Sequence, residues 1–191
     1  MRNEIVLIGP FGTGKSTVGR LLAAHLGVPD VSMDGHKHWY AELGFSNDKF
    51  KRLWAEASPH TADRYFHTFF PAAVERLLNE YTSCVFDLGA GHTVYEDEAL
   101  FQRVKQALAP FKNVVLILPT PDLDESVRIL RDRERQRNIN PYFLNSTEFD
   151  YFSHWVKSHC NFDLAKQTIY TEGKTPEQTR DDVLRAISKQ R

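Results

Sequence analysis

No apolar stretch in this 191-residue chain is long enough to cross a bilayer. Runs such as Val114 to Leu118 end after a few residues, which excludes a membrane-spanning helix. Cysteine is almost missing. Cys84 and Cys160 are the only two, one inside an apparent strand and one in a polar helix-like stretch. That excludes a disulfide scaffold and points to free thiols in a reducing compartment, hence a cytoplasmic protein. An excess of either charge is also lacking, since 24 basic residues face 25 acidic ones for a net charge of −1. No global field draws the molecule to nucleic acid or to an anionic membrane, so any basic site is local. The N-terminal apolar run stops at Gly9-Pro10, unlike a secretory signal, and there is no internal repeat or low-complexity tract. What remains, 41% apolar and 26% charged residues, is the composition of an ordinary globular protein of one domain.

Against that plain background one segment carries chemistry. Gly9, Pro10, Phe11, Gly12, Thr13, Gly14, Lys15, Ser16 and Thr17 read Gly-x-x-x-x-Gly-Lys-Ser, a phosphate-binding loop. An apolar run from Glu4 to Ile8 enters it and a helical pattern from Lys15 to Leu26 leaves it, the required strand–loop–helix frame. Glycines let the backbone turn its N–H groups inward, so those donors and a helix N-terminus face one anionic group. Lys15 is placed to reach the β- and γ-phosphates of a nucleotide, and Ser16 to set its hydroxyl on Mg²⁺.

Short apolar runs alternate with longer amphipathic ones, the pattern of a parallel sheet covered by helices on both faces. Strands are expected near Glu4–Ile8, Pro29–Met33, Ser83–Asp87, Asn113–Leu118 and Thr168–Thr171. Helices are expected at Lys15–Leu26, Thr61–Glu80, Tyr95–Ala109, Leu123–Arg137, Thr147–His159 and Pro176–Ser188. Gly27 suits a left-handed C-cap, and Thr175-Pro176 reads as an N-cap followed by proline at the first helical position. The interval from about residue 34 to 81 is too long for a simple crossover and is crowded with aromatic residues. It is expected to form a helical insertion whose rings build a small core, some of them lining a pocket. A second insertion, about 128 to 159, alternates charges and then turns irregular.

Phosphoryl transfer also requires a second anchor for Mg²⁺, a group that orients the acceptor, and cations over the transferred group. Asp87 closes the run Cys84-Val85-Phe86-Asp87 at the carboxyl edge of the sheet, where α/β sites assemble, and is the expected metal partner of Ser16; a strand-end Asp also serves as a plain cap. Asp34 ends the second strand and is the expected acceptor-orienting base. In Asp34-Gly35-His36-Lys37-His38 no further Cys or His completes a metal set, leaving His36 or His38 as substrate contacts or as structural residues. Arg128, Arg131, Arg133, Arg135 and Arg137 interleave with Asp132 and Glu134, which suits both a solvated helix face braced by ion pairs and a lid that closes over a nucleotide.

Taken together, these residues resemble the P-loop small-molecule kinases of the shikimate kinase and nucleoside-monophosphate kinase group, over the whole chain. The likeness is strongest in the loop and its continuation Lys15 to Ala23. It returns at Gly89-Ala90-Gly91, similar to the family's triple-glycine substrate motif with its middle glycine replaced. The resemblance implies a three-layer P-loop fold with a five-stranded parallel sheet, a helical substrate subdomain and a lid. It implies ATP and Mg²⁺ as cofactors. It assigns Gly9, Gly12, Thr13, Gly14, Lys15, Ser16, Thr17 and Arg128 to the nucleotide, Arg128 as the adenine-stacking residue, and Ser16 and Asp87 to the metal. Lys15, Asp34 and Arg135 become catalytic, Arg135 from the lid. Asp34, His36, Arg64, Gly89, Ala90, Gly91, His92 and Lys157 face the acceptor. The base loop corresponds to about residues 171–176. Departures accompany the likeness. Ser32 stands at the first position of the family's Asp-x-Asp pair, Ser158 at its second substrate arginine, and Gln136 follows Arg135 where proline is usual. A lysine such as Lys157 does not replace a bidentate guanidinium, so the pattern points away from shikimate itself.

The expectation is an ATP-dependent kinase of a small hydroxyl or phosphate acceptor, monomer or homodimer, with no nucleic-acid or membrane partner. The readings set against it are a nucleotide-binding or ATPase module without a metabolite acceptor, and a nucleoside-monophosphate or nucleic-acid-end kinase.

Overall fold

A strand buried on both faces reads as an unbroken apolar run, and the first strand does so once past its polar start. In the computed structural model, which describes residues 2–189, β1 (Arg2–Ile8) is fully buried from Ile5 onward. It lies between β3 (Val85–Asp87) and β4 (Phe111–Leu118), with β2 (Asp30–Ser32) and β5 (Gln167–Tyr170) at the edges. All neighbours are parallel, in the order β2-β3-β1-β4-β5.

Side-chain alternation divides the core into two layers. Ile5, Leu7, Val85, Val115 and Ile117 face α1 (Lys15–Leu26) and α11 (Pro176–Ser188). Val6, Ile8, Phe86 and Leu116 pack on the other side against α5 (Phe70–Glu80), α6 (Glu98–Leu108) and α7 (Leu123–Arg137). After β3 the chain passes to the far side of β1, so the crevice above the carboxyl end of β1 is the sheet's switch point, where ligands bind in such folds.

Several helices begin and end where their caps dictate. α1, α7 and α11 occupy the expected spans. Gly27 closes α1 at φ 67°, Asp122 accepts from the N–H groups of Asp124 and Glu125 to start α7, and Thr175 and Gln178 form a capping box on α11. α6 starts later than expected, because the Asp97 carboxylate takes the N–H groups of Ala99 and Leu100. The single helix expected at Thr61–Glu80 is two, α4 (Pro59–His67) and α5. Pro71 in the first turn of α5 has no N–H to give and its ring opposes a continuous helix, so the chain turns at Thr68-Phe69. The helix expected at Thr147–His159 is shorter, α9 (Tyr151–Lys157), since Asp150 caps its start and extended Ser158 ends it; α10 (His159–Leu164) follows, mostly beyond the expected span.

Between β2 and α4 lie a 3₁₀ turn (Met33–His36), α2 (Trp39–Glu42) and α3 (Asn47–Glu56); α8 (Pro141–Asn145) joins α7 to α9. Among the described residues no helix is long and apolar enough to cross a membrane.

Candidate active site

Parallel register sets the site. Asp87 pairs in register with Leu7 on one side and Ser32 on the other, so it lies one residue before the end of β1 and two residues short of Asp34. The phosphate loop leaves β1 immediately beyond. Gly9 adopts φ 133°, and a Cβ there would lie 2.5 Å from the Ile117 carbonyl oxygen of β4, so both the dihedral and the approach to β4 demand glycine. Gly14, at φ 94°, caps α1 and has open space where a side chain would stand, the hollow an anion cradle needs.

Lys15 folds back across the loop and is buried, its Nζ donating to the Pro10 carbonyl at 2.9 Å; the Thr13 hydroxyl donates to the same oxygen at 3.1 Å. Burial lowers the Lys15 pKa, and the nearby Asp87 and Asp34 carboxylates oppose that. Asp87 is also buried, at 3% exposure. Burial raises its carboxyl, against the pull of the Lys15 ammonium and the Ser16 hydroxyl. Asp34 is open to solvent and pairs with Lys37 at 3.6 Å, while the Ser32 hydroxyl accepts its N–H.

These groups line one cleft of about 610 Å³. It brings together Gly12, Gly14, Lys15, Ser16, Thr17, Asp34, Asp87, Gly89, Ala90, Gly91 and His92. The 3₁₀ turn Ala90–Thr93 carries the last of them. Gly91 is pressed against α5, and a Cβ there would meet the Phe70 ring at 2.9 Å. His92 stacks on Phe70 with ring centroids 4.2 Å apart, and its Nε2 hydrogen-bonds the Tyr40 hydroxyl. Burial pulls the His92 pKa down to about 4, so the ring is neutral near pH 7.

Other expected site residues lie elsewhere. His36 is held by the Ser32 carbonyl and the Tyr81 hydroxyl, each at 2.9 Å, with its ring against Trp39; its hydrogen bonds fasten the Met33–His36 turn. Lys157 is tied to Asp124 at 2.5 Å, and Arg64 pairs with Glu96 at 3.4 Å; neither lines the cleft. Arg128 is bound to Glu125 and Asp132, and Arg135 to Asp132, on the outer face of α7. The arginines that turn inward are Arg133, whose guanidinium donates to the Gly12 carbonyl at 3.4 Å, and Arg137, which lines the cleft. Helical spacing carries the signal for this. Val127, Leu130 and Glu134 are the buried stripe of α7, and Arg133 and Arg137 flank it one turn apart.

Sequence reasoning also missed the side of the cleft built by Asp63, His67, Tyr151 and Trp155. Asp63 and His67 stand one turn apart on α4, beside buried Ala62 and against outward Arg64 and Thr68. A carboxylate on the inward face of a short helix was the available clue. Tyr151 donates to Asp63 Oδ2 and shares a 2.8 Å hydrogen bond with Tyr142. A second cavity of about 500 Å³ opens behind these same four residues.

Residues 5–141 match the ATPase family associated with various cellular activities (AAA). The chain is 28% identical over 185 residues to a shikimate kinase of Streptomyces coelicolor, covering 96% of this chain and 94% of that protein. It is 27% identical over 188 residues to a shikimate kinase of Enterococcus faecalis, covering 96% and 98% respectively. Among solved structures it resembles the shikimate kinase from Acinetobacter baumannii in complex with shikimate, with a TM-score of 0.66 and 19% identity over 100% of this chain and 96% of that one. At that identity the structural likeness speaks for the fold, the five-stranded parallel P-loop kinase architecture.

Proposed function

The chain belongs to the ATPase family associated with various cellular activities (AAA), and its likeness to shikimate kinases leads us to propose that it is an ATP-dependent small-molecule kinase. It would move the γ-phosphoryl group of ATP to a hydroxyl of a small acceptor. The observation that carries this reading is the single cleft holding Lys15, Asp87 and Asp34 together with a walled recess beyond them. An ATPase that only hydrolyses has no need of the recess; a kinase needs somewhere to seat an acceptor away from water.

The Ser16 hydroxyl and the Asp87 carboxylate are hard oxygen donors suited to Mg²⁺, and buried Asp87 has Lys15 as its neighbouring cation. Mg²⁺ held there would neutralise charge on the nucleotide phosphates. The loop amides and Lys15 bind those phosphates. Arg128 stays paired with Glu125 and Asp132 outside the cleft lining, and the Glu172 carboxylate of the 171–176 loop adds only a weak attraction to it. Arg133 closes on Gly12, while Arg135 is held on the outer face by Asp132. The acceptor hydroxyl gives its proton to Asp34 as its oxygen bonds to the γ-phosphorus. The bond to the β,γ-bridging oxygen breaks and ADP leaves. Positioning and charge neutralisation supply the rate.

Lys15→Ala tests this. Acceptor phosphorylation is expected to fall by about a thousandfold or more while circular dichroism stays native. Retained phosphotransfer by the purified variant would refute the mechanism.

A further inference from the structure

The cleft and the cavity behind it share Asp63, His67, Tyr151 and Trp155, so their junction is a recess common to both. Its walls are aromatic. Tyr151 and Trp155 are buried, Phe143 packs on both, and Phe149 lies across Tyr151. Its one carboxylate, Asp63, has a single polar partner among the described residues, the Tyr151 hydroxyl on Oδ2, and no ion pair. Oδ1 is left for a ligand.

The cations of the region are placed or spent elsewhere. Lys15 lies in the phosphate loop, Arg20 follows on α1 with its Nε bonded to the Ser16 carbonyl, and Lys37 pairs with Asp34. Arg137 lines the cleft where α7 ends, beside Ile139 and Asn140, and takes no part in the rear cavity. In the rear cavity Arg64 is matched by Glu96, which also accepts from His60. His67 contributes no charge near pH 7. Burial, with His92, His154 and His60 nearby, lowers its pKa to about 3. Among the described residues His60, His67 and His154 do not converge with carboxylates as a metal-ligand set. A carboxylate or phosphate entering this recess would meet the Asp63 carboxylate, the neutral His67 imidazole and aromatic rings. An ammonium would meet a carboxylate that has no ion pair and the aromatic rings of Tyr151 and Trp155, a setting that attracts cations.

We propose that the acceptor is an amine-bearing hydroxyl compound, an amino alcohol or amino sugar, whose ammonium group binds Asp63 between Tyr151 and Trp155 while its hydroxyl faces Asp34. This rests on the kinase reading and adds the charge class of the acceptor. It separates the chain from kinases whose acceptor carries a carboxylate. Asp63 is a specificity residue here and takes no part in the transfer.

The test measures ATP-dependent phosphorylation across matched sets: glucosamine, glucose and gluconate, with ethanolamine, choline, glycerol, shikimate and nucleoside monophosphates. Amines are expected to be phosphorylated with kcat/KM about 30-fold or more above their neutral counterparts, with the anions slowest. In Asp63→Asn the amine KM should rise about 30-fold, kcat and the ATP KM should hold, and Asp63→Glu should recover part of the loss. Phosphorylation of a hydroxy acid or nucleotide in preference to every amine would overturn the inference and leave the kinase reading standing. So would an unchanged amine KM in a folded Asp63→Asn protein. Phosphorylation of none of these, with the ATP analogue still bound, would overturn both.

Discussion

Gly9 illustrates how the site depends on single atoms. Its dihedral and its approach to the Ile117 carbonyl leave no room for a methyl group, so Gly9→Ala must shift the loop against β4. We expect a stability loss of about 3 kcal/mol or more together with loss of nucleotide binding, measured by urea unfolding and calorimetry. His92 makes a different prediction. Its folded pKa of about 4 lies below the unfolded value of about 6.5, so the unfolded chain takes up a proton first as pH falls. Stability is therefore lost between those two values, by about 1.4 kcal/mol per pH unit for this one group, and the loss levels off below about 4. His92→Gln should flatten the wild-type slope in that window by one proton; identical slopes would contradict the assignment. At this scale the sequence was legible wherever a residue type is tied to backbone geometry, as in the phosphate loop. It was opaque at Asp63 and Arg133, whose importance comes from the helix face they occupy.

Elements show the same division. α1, α7 and α11 were readable because caps and periodicity agree, and the break at Thr68-Phe69 was written in Pro71 but outweighed by the surrounding helical pattern. The contacts between the two insertions were not readable, since they join residues far apart in sequence. Trp54 on α3 packs on Tyr142 of α8 with centroids 4.7 Å apart, and Tyr142 hydrogen-bonds onward to Tyr151 and so to Asp63. That chain joins α3 to α8, α9 and α4 beside the recess. Trp54 is 36% exposed, so Trp54→Ala should change stability by no more than about 1–2 kcal/mol. It should admit water and raise the ratio of ADP formed to acceptor phosphorylated above one. A ratio that stays at unity would show that the contact does not seal the site.

For the whole molecule, the all-parallel order β2-β3-β1-β4-β5 brings the segments that follow β1, β2 and β3 to the same end of the sheet, where Lys15, Asp34 and Asp87 meet. A nonhydrolysable ATP analogue with Mg²⁺ at a hundred times its Kd should stabilise the fold by about 2.7 kcal/mol, and Lys15→Ala should abolish most of that shift. The alternation of strands and helices made this architecture legible, and the loop motif made its donor side legible. The acceptor side was hidden because its walls come from α4, α8 and α9, brought together only by the fold. The most direct test of the central claim follows the label from γ-³²P-ATP in the presence of the acceptor set. Label is expected to accumulate in an organic phosphate ester at a rate set by acceptor concentration. Label appearing only as inorganic phosphate, at one rate with or without every acceptor, would contradict it.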